Sequence, residues 1–272
     1  MKAILRNSVN CVPMSVRTWI KYIPIVASLQ RWLVKAVLAG EAFEHTIIGG
    51  PANGLRMAIK LPEDKALWTG TFETGFADQL RHGVRTGDVC YDVGSYRGYM
   101  AGVMALAGAS KVVLFEPLPQ NCQGLRRLLE MNHTLPLELQ PVAIGNSNGE
   151  TRFRIAADSS MGKLADSPFQ PGYAGEQEIP VTLKTLDALV FDEGLVAPDL
   201  IKIDVEGAEE LVLRGAARVL REVRPRLFME IHSGQLEGVC QEILKSAGYT
   251  VRRMLAGDKL EHETRHVRAE PI

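Results

Sequence analysis

YDVGSYRGYM, residues 91–100, joins a strand-like run, GDVCYDVG, to a helix-compatible one, YMAGVMALAG, through two glycines, Gly94 and Gly98. In α/β proteins a strand–glycine–helix junction is where a nucleotide-like ligand is held. A phosphate-binding P-loop requires GxxxxGK[ST], and no Lys-Ser/Thr pair follows Gly98, so that reading fails. A dinucleotide fingerprint requires GxGxxG, and here the spacing is Gly94-x-x-x-Gly98 with the middle glycine absent.

Asp92, two positions before Gly94, discriminates further. Two unit charges about 4 Å apart interact by about 4 kcal/mol at an effective dielectric near 20. A carboxylate at the strand end therefore opposes a pyrophosphate and favours an ammonium or sulfonium. A ligand with a cationic amino-acid end and a nucleoside end, S-adenosylmethionine, fits this charge. The next strand, KVVLFEP, carries Glu116 at its carboxyl end, where a carboxylate can accept hydrogen bonds from both ribose hydroxyls. The same acid would serve a nicotinamide cofactor, so Asp92 and Glu116 discriminate only as a pair. The plainer alternatives are a turn-capping Asp92 and an exposed strand-end Glu116.

From this junction the pattern extends in both directions. Strands are expected at 88–93, 111–116, 138–144, 199–204, 226–231 and 248–254, with helices at 97–109, 118–131, 183–191, 206–222 and 234–247. Such alternation implies a mostly parallel sheet covered by helices on both faces. Ahead of it, 45–48 and 55–59 read as a hairpin around GGPANG, and 73–84 as a helix. Residues 145–181 interrupt the rhythm with a polar stretch containing strand-like RFRI and IPVTL, the composition of a binding loop or a surface decoration.

A second cluster sits in PDLIKIDVEGAEELVLRG and PRLFMEIHS. A buried parallel strand should be nearly continuously apolar, yet Lys202 and Asp204 alternate on one face, followed by Glu206, while Glu230 and His232 alternate at the next strand's end. If the two strands are neighbours, these five residues gather on one rim of the sheet. They read both as a structural ion-pair network and as an acid/base site, with Lys202 mainly organisational and Asp204 and His232 the candidate bases. Asp204, Glu230 and His232 form a donor set for a divalent cation; without HxxxH or paired-His spacing, no metal site is assigned.

The chain has 272 residues and a formal net charge of −1, which excludes a polyanion binder in bulk and assigns no nucleic-acid partner. Its four cysteines, Cys11, Cys90, Cys122 and Cys240, are far apart, arguing against structural zinc or a disulfide framework and for reduced thiols in the cytoplasm. Residues 1–40 carry basic residues and no acid, with apolar residues at helical spacing broken by Pro24. They read as a basic amphipathic helical extension, residues 14–39 of which either pack on the domain or a partner subunit, or lie peripherally on an anionic membrane. Residues 41–272 form the main domain.

The stretches GDVCYDVGSYRGYM, FEPLPQN, VAIGNSNG, TLDAL, LIKIDVEGAEELVLRGA and PRLFMEIH together resemble the FkbM family of S-adenosylmethionine-dependent methyltransferases, across roughly residues 68 to 235. The resemblance implies the class I methyltransferase fold, a Rossmann-like seven-stranded sheet whose last, antiparallel strand RHVRAEP can supply. It also implies methyl transfer to a hydroxyl of a sugar, glycan, polyketide or similar natural product. By the same resemblance Asp92, Gly94 and Gly98 hold the methionine end, Glu116 the ribose, and Ala143 and Ile144 the adenine; Ser95 is expected among the cofactor-binding residues. The family loop often reads DVGANxG; here it carries Ser95, Tyr96 and Arg97, and Arg97 is expected to turn outward or pair with an acid. The segment Ser159–Gly162 is expected to cover the acceptor. A nicotinamide-dependent oxidoreductase and a non-catalytic, membrane-docked protein of the same fold are the rival readings.

Overall fold

The computed structural model describes residues 42–155, 162–164, 177–254 and 265–272. The expected extension over 1–40 and the segment 159–161 of the expected acceptor cover lie outside the described residues.

Strand β1 (Phe43–Thr46) and strand β2 (Arg56–Ile59) pair antiparallel as the expected hairpin, followed by helices α1 (Lys65–Thr69) and α2 (Thr74–Gly83). Then come β3 (Val89–Val93), α3 (Tyr99–Leu106), β4 (Lys111–Phe115), α4 (Pro119–Met131) and β5 (Leu137–Gln140). The excursion contributes β6 (Ala143–Ile144), β7 (Gly149–Ile155), β8 (Gly162–Leu164) and β9 (Gln177–Lys184). The chain closes with β10 (Leu200–Ile203), α5 (Glu209–Arg214), β11 (Arg226–Ile231), α6 (Gly234–Ser246), β12 (Tyr249–Arg253) and β13 (Arg265–Pro271).

The main sheet has seven strands in the order β12-β13-β11-β10-β3-β4-β5. Strands β11, β10, β3, β4 and β5 run parallel, and β13 is antiparallel to both of its neighbours, β11 and β12. This is the class I arrangement implied above, with RHVRAEP as the antiparallel strand.

The two-residue side-chain period sorts the sheet into two faces. Cys90, Val112, Leu114, Leu200 and Phe228 join one buried core with α2, α3, α4 and the hairpin. Tyr91, Val93, Val113, Phe115, Ile201, Ile203, Leu227, Met229 and Ile231 join a second core with α5 and α6. Pro119 starts α4, where its missing N–H costs nothing, and buries Cys122, Leu125 and Leu128 at three-residue intervals. Ser233 caps α6 by accepting the Leu236 N–H at 3.1 Å.

Three expected elements differ. The strand over 138–144 divides at Pro141, which cannot donate to a ladder; β5 stays in the main sheet and β6 joins a four-stranded sheet of order β6-β9-β7-β8. RFRI and IPVTL fall in β7 and β9, so the excursion is largely a small sheet. The helix over 183–191 gives way to the end of β9 and a π-helical turn at Ala188–Asp192. The helix over 206–222 starts only at Glu209 and breaks at Gly215, where a side chain would meet the Gly145 carbonyl oxygen at 1.9 Å. A second π-helical turn, Val219–Val223, completes that segment.

Candidate active site

The parity that fills the first core also places Asp92, Lys202, Asp204, Glu116 and Glu230 on that face, at the carboxyl ends of their strands, where open α/β sheets bind ligands. A cavity of about 490 Å³ lies there. Gly94, Ser95, Glu116, Ala143, Ile144, Lys202, Asp204, Glu206 and Glu230 line it; Asp92, Gly98 and His232 stand behind the wall. Phe153, Leu118, Ala143 and Ala208, from the core under the small sheet, form an apolar side.

Lys202 sits directly across from Asp92 in the β10–β3 register. Its Nζ lies 3.1 Å from Asp92 Oδ1 and 3.5 Å from Asp204 Oδ2, and donates to the Gly94 carbonyl at 3.0 Å. Asp92 is fully buried, and neither of its oxygens has a well-directed hydrogen-bond donor among the described residues. Burial raises the pKa of Asp92, and Lys202 opposes that rise. Burial would lower that of Lys202, but Asp92 and Asp204 together raise it. Lys202 thus places one ammonium between two carboxylates.

The glycine loop does not form a phosphate cradle. Gly94 N and Ser95 N both donate to the Phe115 carbonyl at 3.1 Å, and Gly98 N donates to Ser95 O at 2.7 Å. Tyr96 N donates to Glu116 Oε2 at 2.9 Å, and Leu118 N to Glu116 Oε1 at 2.9 Å. Gly94, at φ +80°, is required by its neighbour: a Cβ would lie 1.8 Å from the Asp204 carbonyl oxygen. Gly98 serves packing, since a Cβ there would strike Leu128 at 2.4 Å and Leu125 at 2.8 Å. Arg97 turns away as expected, pairing with Asp64 and donating to the Ala58 carbonyl at 2.6 Å.

His232 is the hub of the second cluster. Its Nδ1 lies 2.7 Å from Oε1 of fully buried Glu209; its Nε2 faces Glu206 at 3.5 Å, Asp204 at 3.7 Å and Glu230 at 3.9 Å. Burial pushes the imidazole pKa down, but the Glu209 hydrogen bond and the charges of Glu209, Asp204 and Glu206 outweigh it and raise it to about 9. At neutral pH His232 is therefore an imidazolium, which argues against its role as a resting base. Glu230 pairs across the β11–β13 register with His266 at 3.2 Å; burial raises its carboxyl, and His266 brings it below the ordinary value. Phe76 of α2 stacks on the His266 ring with centroids 4.5 Å apart. Donor atoms of Asp204, Glu230 and His232 lie within 4.8 Å of one another, with Lys202 Nζ 3.5 Å from Asp204 and His266 Nε2 3.2 Å from Glu230.

Glu73, Glu209 and His266 were not expected from sequence. Glu73 precedes α2 and lines the cavity opposite the cluster; desolvation, then the charges of Glu230 and Asp204, raise its carboxyl to about 7. Glu209 stood in the quoted KIDVEGAEE run but reads as an ordinary first-turn helix acid. His266 becomes visible only through the β11–β13 pairing. No helix among the described residues is long and apolar enough to cross a membrane.

Comparison with known proteins bears on the family of the chain. The Methyltransferase FkbM domain model matches residues 92–255. The hexuronic acid methyltransferase AglP of Haloferax volcanii is 31% identical over 153 residues, covering 54% of this chain and 57% of that protein. The 31-O-demethyl-FK506 methyltransferase FkbM of Streptomyces tacrolimicus is 27% identical over 207 residues, covering 63% of this chain and 77% of that protein. Among solved structures, a methyltransferase FkbM from Methylobacillus flagellatus KT aligns with a TM-score of 0.46 at 16% identity, covering 92% of this chain and 60% of the other. With its family model matched over more than half its length, on a sheet of that topology, the chain belongs to the FkbM methyltransferase family.

Proposed function

We propose that the protein is an S-adenosylmethionine-dependent O-methyltransferase acting on a hydroxyl of a sugar, glycan, polyketide or similar natural product. One observation carries the cofactor assignment. The loop that would cradle a pyrophosphate has its Gly94, Ser95 and Tyr96 amides already engaged within the protein, while Asp92 and Glu116 stand behind and beside it. The cavity's cationic side chains among the described residues, Arg97 and Lys202, are both paired with acids. Such a surface fits a cationic ligand and opposes a phosphorylated one.

S-adenosylmethionine, when bound, supplies an electrophilic methyl group. Gly94 and Ser95, backed by the Asp92–Lys202 pair, would hold its amino-acid end, Glu116 the ribose, and Ala143 and Ile144 the adenine. Asp204, partly open to the cavity, takes the acceptor's hydroxyl proton. Glu206 and Glu230 orient the acceptor, and Lys202 and imidazolium His232 hold the carboxylates in place. The names of the two relatives, a hexuronic acid methyltransferase and a 31-O-demethyl-FK506 methyltransferase, support a natural-product acceptor.

The test is incubation with methyl-labelled cofactor and fractionated host extract, with Asp204→Asn in parallel. Label should enter a hydroxyl-bearing small molecule or glycan. In the variant, transfer should fall at least about tenfold while S-adenosylhomocysteine affinity stays within about threefold. Undiminished transfer by Asp204→Asn removes that residue from the mechanism, and no transfer to any fraction removes the enzyme reading.

A further inference from the structure

Tyr96 combines three features. Its φ is +46°, a left-handed conformation that is a true outlier for a bulky side chain and costs stability. It is 37% exposed, one of few large hydrophobic residues so open among the described residues, and it lines the cavity. Its N–H donates to Glu116 Oε2 at 2.9 Å, so it is tied to the carboxylate placed at the ribose. Asparagine, which the similar loops DVGANxG carry at this position, tolerates the left-handed region with little strain. The chain thus keeps a strained, part-exposed aromatic residue lining the cavity next to the Glu116 carboxylate, in the kind of position where local strain is tolerated for a functional reason.

We propose that Tyr96 is a specificity-determining residue whose ring packs against the nucleoside end of the bound cofactor, a contact built by this chain's departure from the asparagine-bearing loop. The proposal rests on the S-adenosylmethionine reading of the cavity. The ring supplies an aromatic surface for the ribose–adenine portion of the ligand, and the backbone at the same residue orients Glu116. Because that second contact is made by the main chain, substitution at Tyr96 separates the two.

The experiment pairs thermal denaturation with calorimetric titration of S-adenosylhomocysteine and of 5′-methylthioadenosine, which lacks the amino-acid end. Tyr96→Asn relieves the backbone strain and should raise the melting temperature by about 2–4 °C. It should also weaken both ligands by about three- to tenfold. Tyr96→Phe keeps the ring and should bind both within about twofold of the native chain. Affinity for both ligands unchanged in Tyr96→Asn overturns the inference. So does weakening confined to S-adenosylhomocysteine, which would move the ring to the amino-acid end. If Tyr96→Asn fails to fold, Tyr96→Gly, equally at ease at positive φ, makes the same comparison. Failure of the native chain to bind either ligand overturns the cofactor reading itself, and the inference with it.

Discussion

Replacing Lys202 by methionine isolates the network's central charge. In the native chain Lys202 is 3% exposed and Asp92 is 0% exposed, their charged atoms 3.1 Å apart. Removing one partner of a buried pair costs about 3–5 kcal/mol, because the remaining charge is left in a poorly solvated place. Asp204 can recover solvent, its side chain being 28% exposed, but Asp92 cannot. Asp92 escapes only by taking up a proton. Holding a carboxyl of ordinary pKa 3.8 protonated at pH 7 costs about 4 kcal/mol, at 1.36 kcal/mol per unit, which sets the upper limit. Lys202→Met should therefore lose about 3–4 kcal/mol at pH 7. The loss should shrink below about 1 kcal/mol at pH 4, where protonating a carboxyl of ordinary pKa 3.8 costs little. The double variant with Asp92→Asn removes the stranded charge and should recover most of the loss. Urea unfolding at pH 7 and pH 4, with m-values compared, is the assay. A pH 7 loss under about 1 kcal/mol, or a double variant no more stable than Lys202→Met alone, would refute the reasoning.

Three further outcomes follow from the site. Folded His232 has a pKa of about 9 against an ordinary 6.5, so its contribution to stability is complete below pH 6.5 and is lost as pH rises through 9. Urea midpoints of the native chain should fall over that window by the equivalent of up to about 3 kcal/mol, and those of His232→Gln should not; parallel profiles would contradict it. Glu116→Ala should lower S-adenosylhomocysteine affinity by about 10- to 100-fold through lost charged hydrogen bonds, with circular dichroism checking the fold, and unchanged affinity would remove the ribose role. Since Asp204 and Glu230 already have Lys202 and His266 as side-chain partners, methyl transfer should survive EDTA treatment, and loss that magnesium restores would point to a cation site.

Much of this was legible in the sequence because sheet parity is rigid. Once Lys202 and Asp204 break an apolar strand at alternate positions, their side chains must share a face, and the parallel order brings them beside Asp92. The chemistry of the glycine loop was less legible: Gly94 and Gly98 looked like ligand-contacting glycines, but close packing against the Asp204 carbonyl and against Leu125 and Leu128 requires them. The protonation of His232 was also hidden, because it depends on Glu209, which a helix brings in from the opposite side of the turn. Pairing of Glu230 with His266 depends on the antiparallel return of β13, more than thirty residues further along the chain. The failed helix expectations share a cause: apolar periodicity near 183–191 and 206–222 said nothing about the β9 ladder or about the backbone approach at Gly215.

The proposed cofactor assignment requires the acidic cavity beside a fully engaged loop to select a cationic sulfonium donor over a phosphate-bearing one. Calorimetric titration of the native chain with S-adenosylmethionine and, separately, with NAD+ tests it most directly. Stoichiometric binding of S-adenosylmethionine with no detectable heat from NAD+ is the predicted result, and binding of NAD+ with S-adenosylmethionine silent would contradict it.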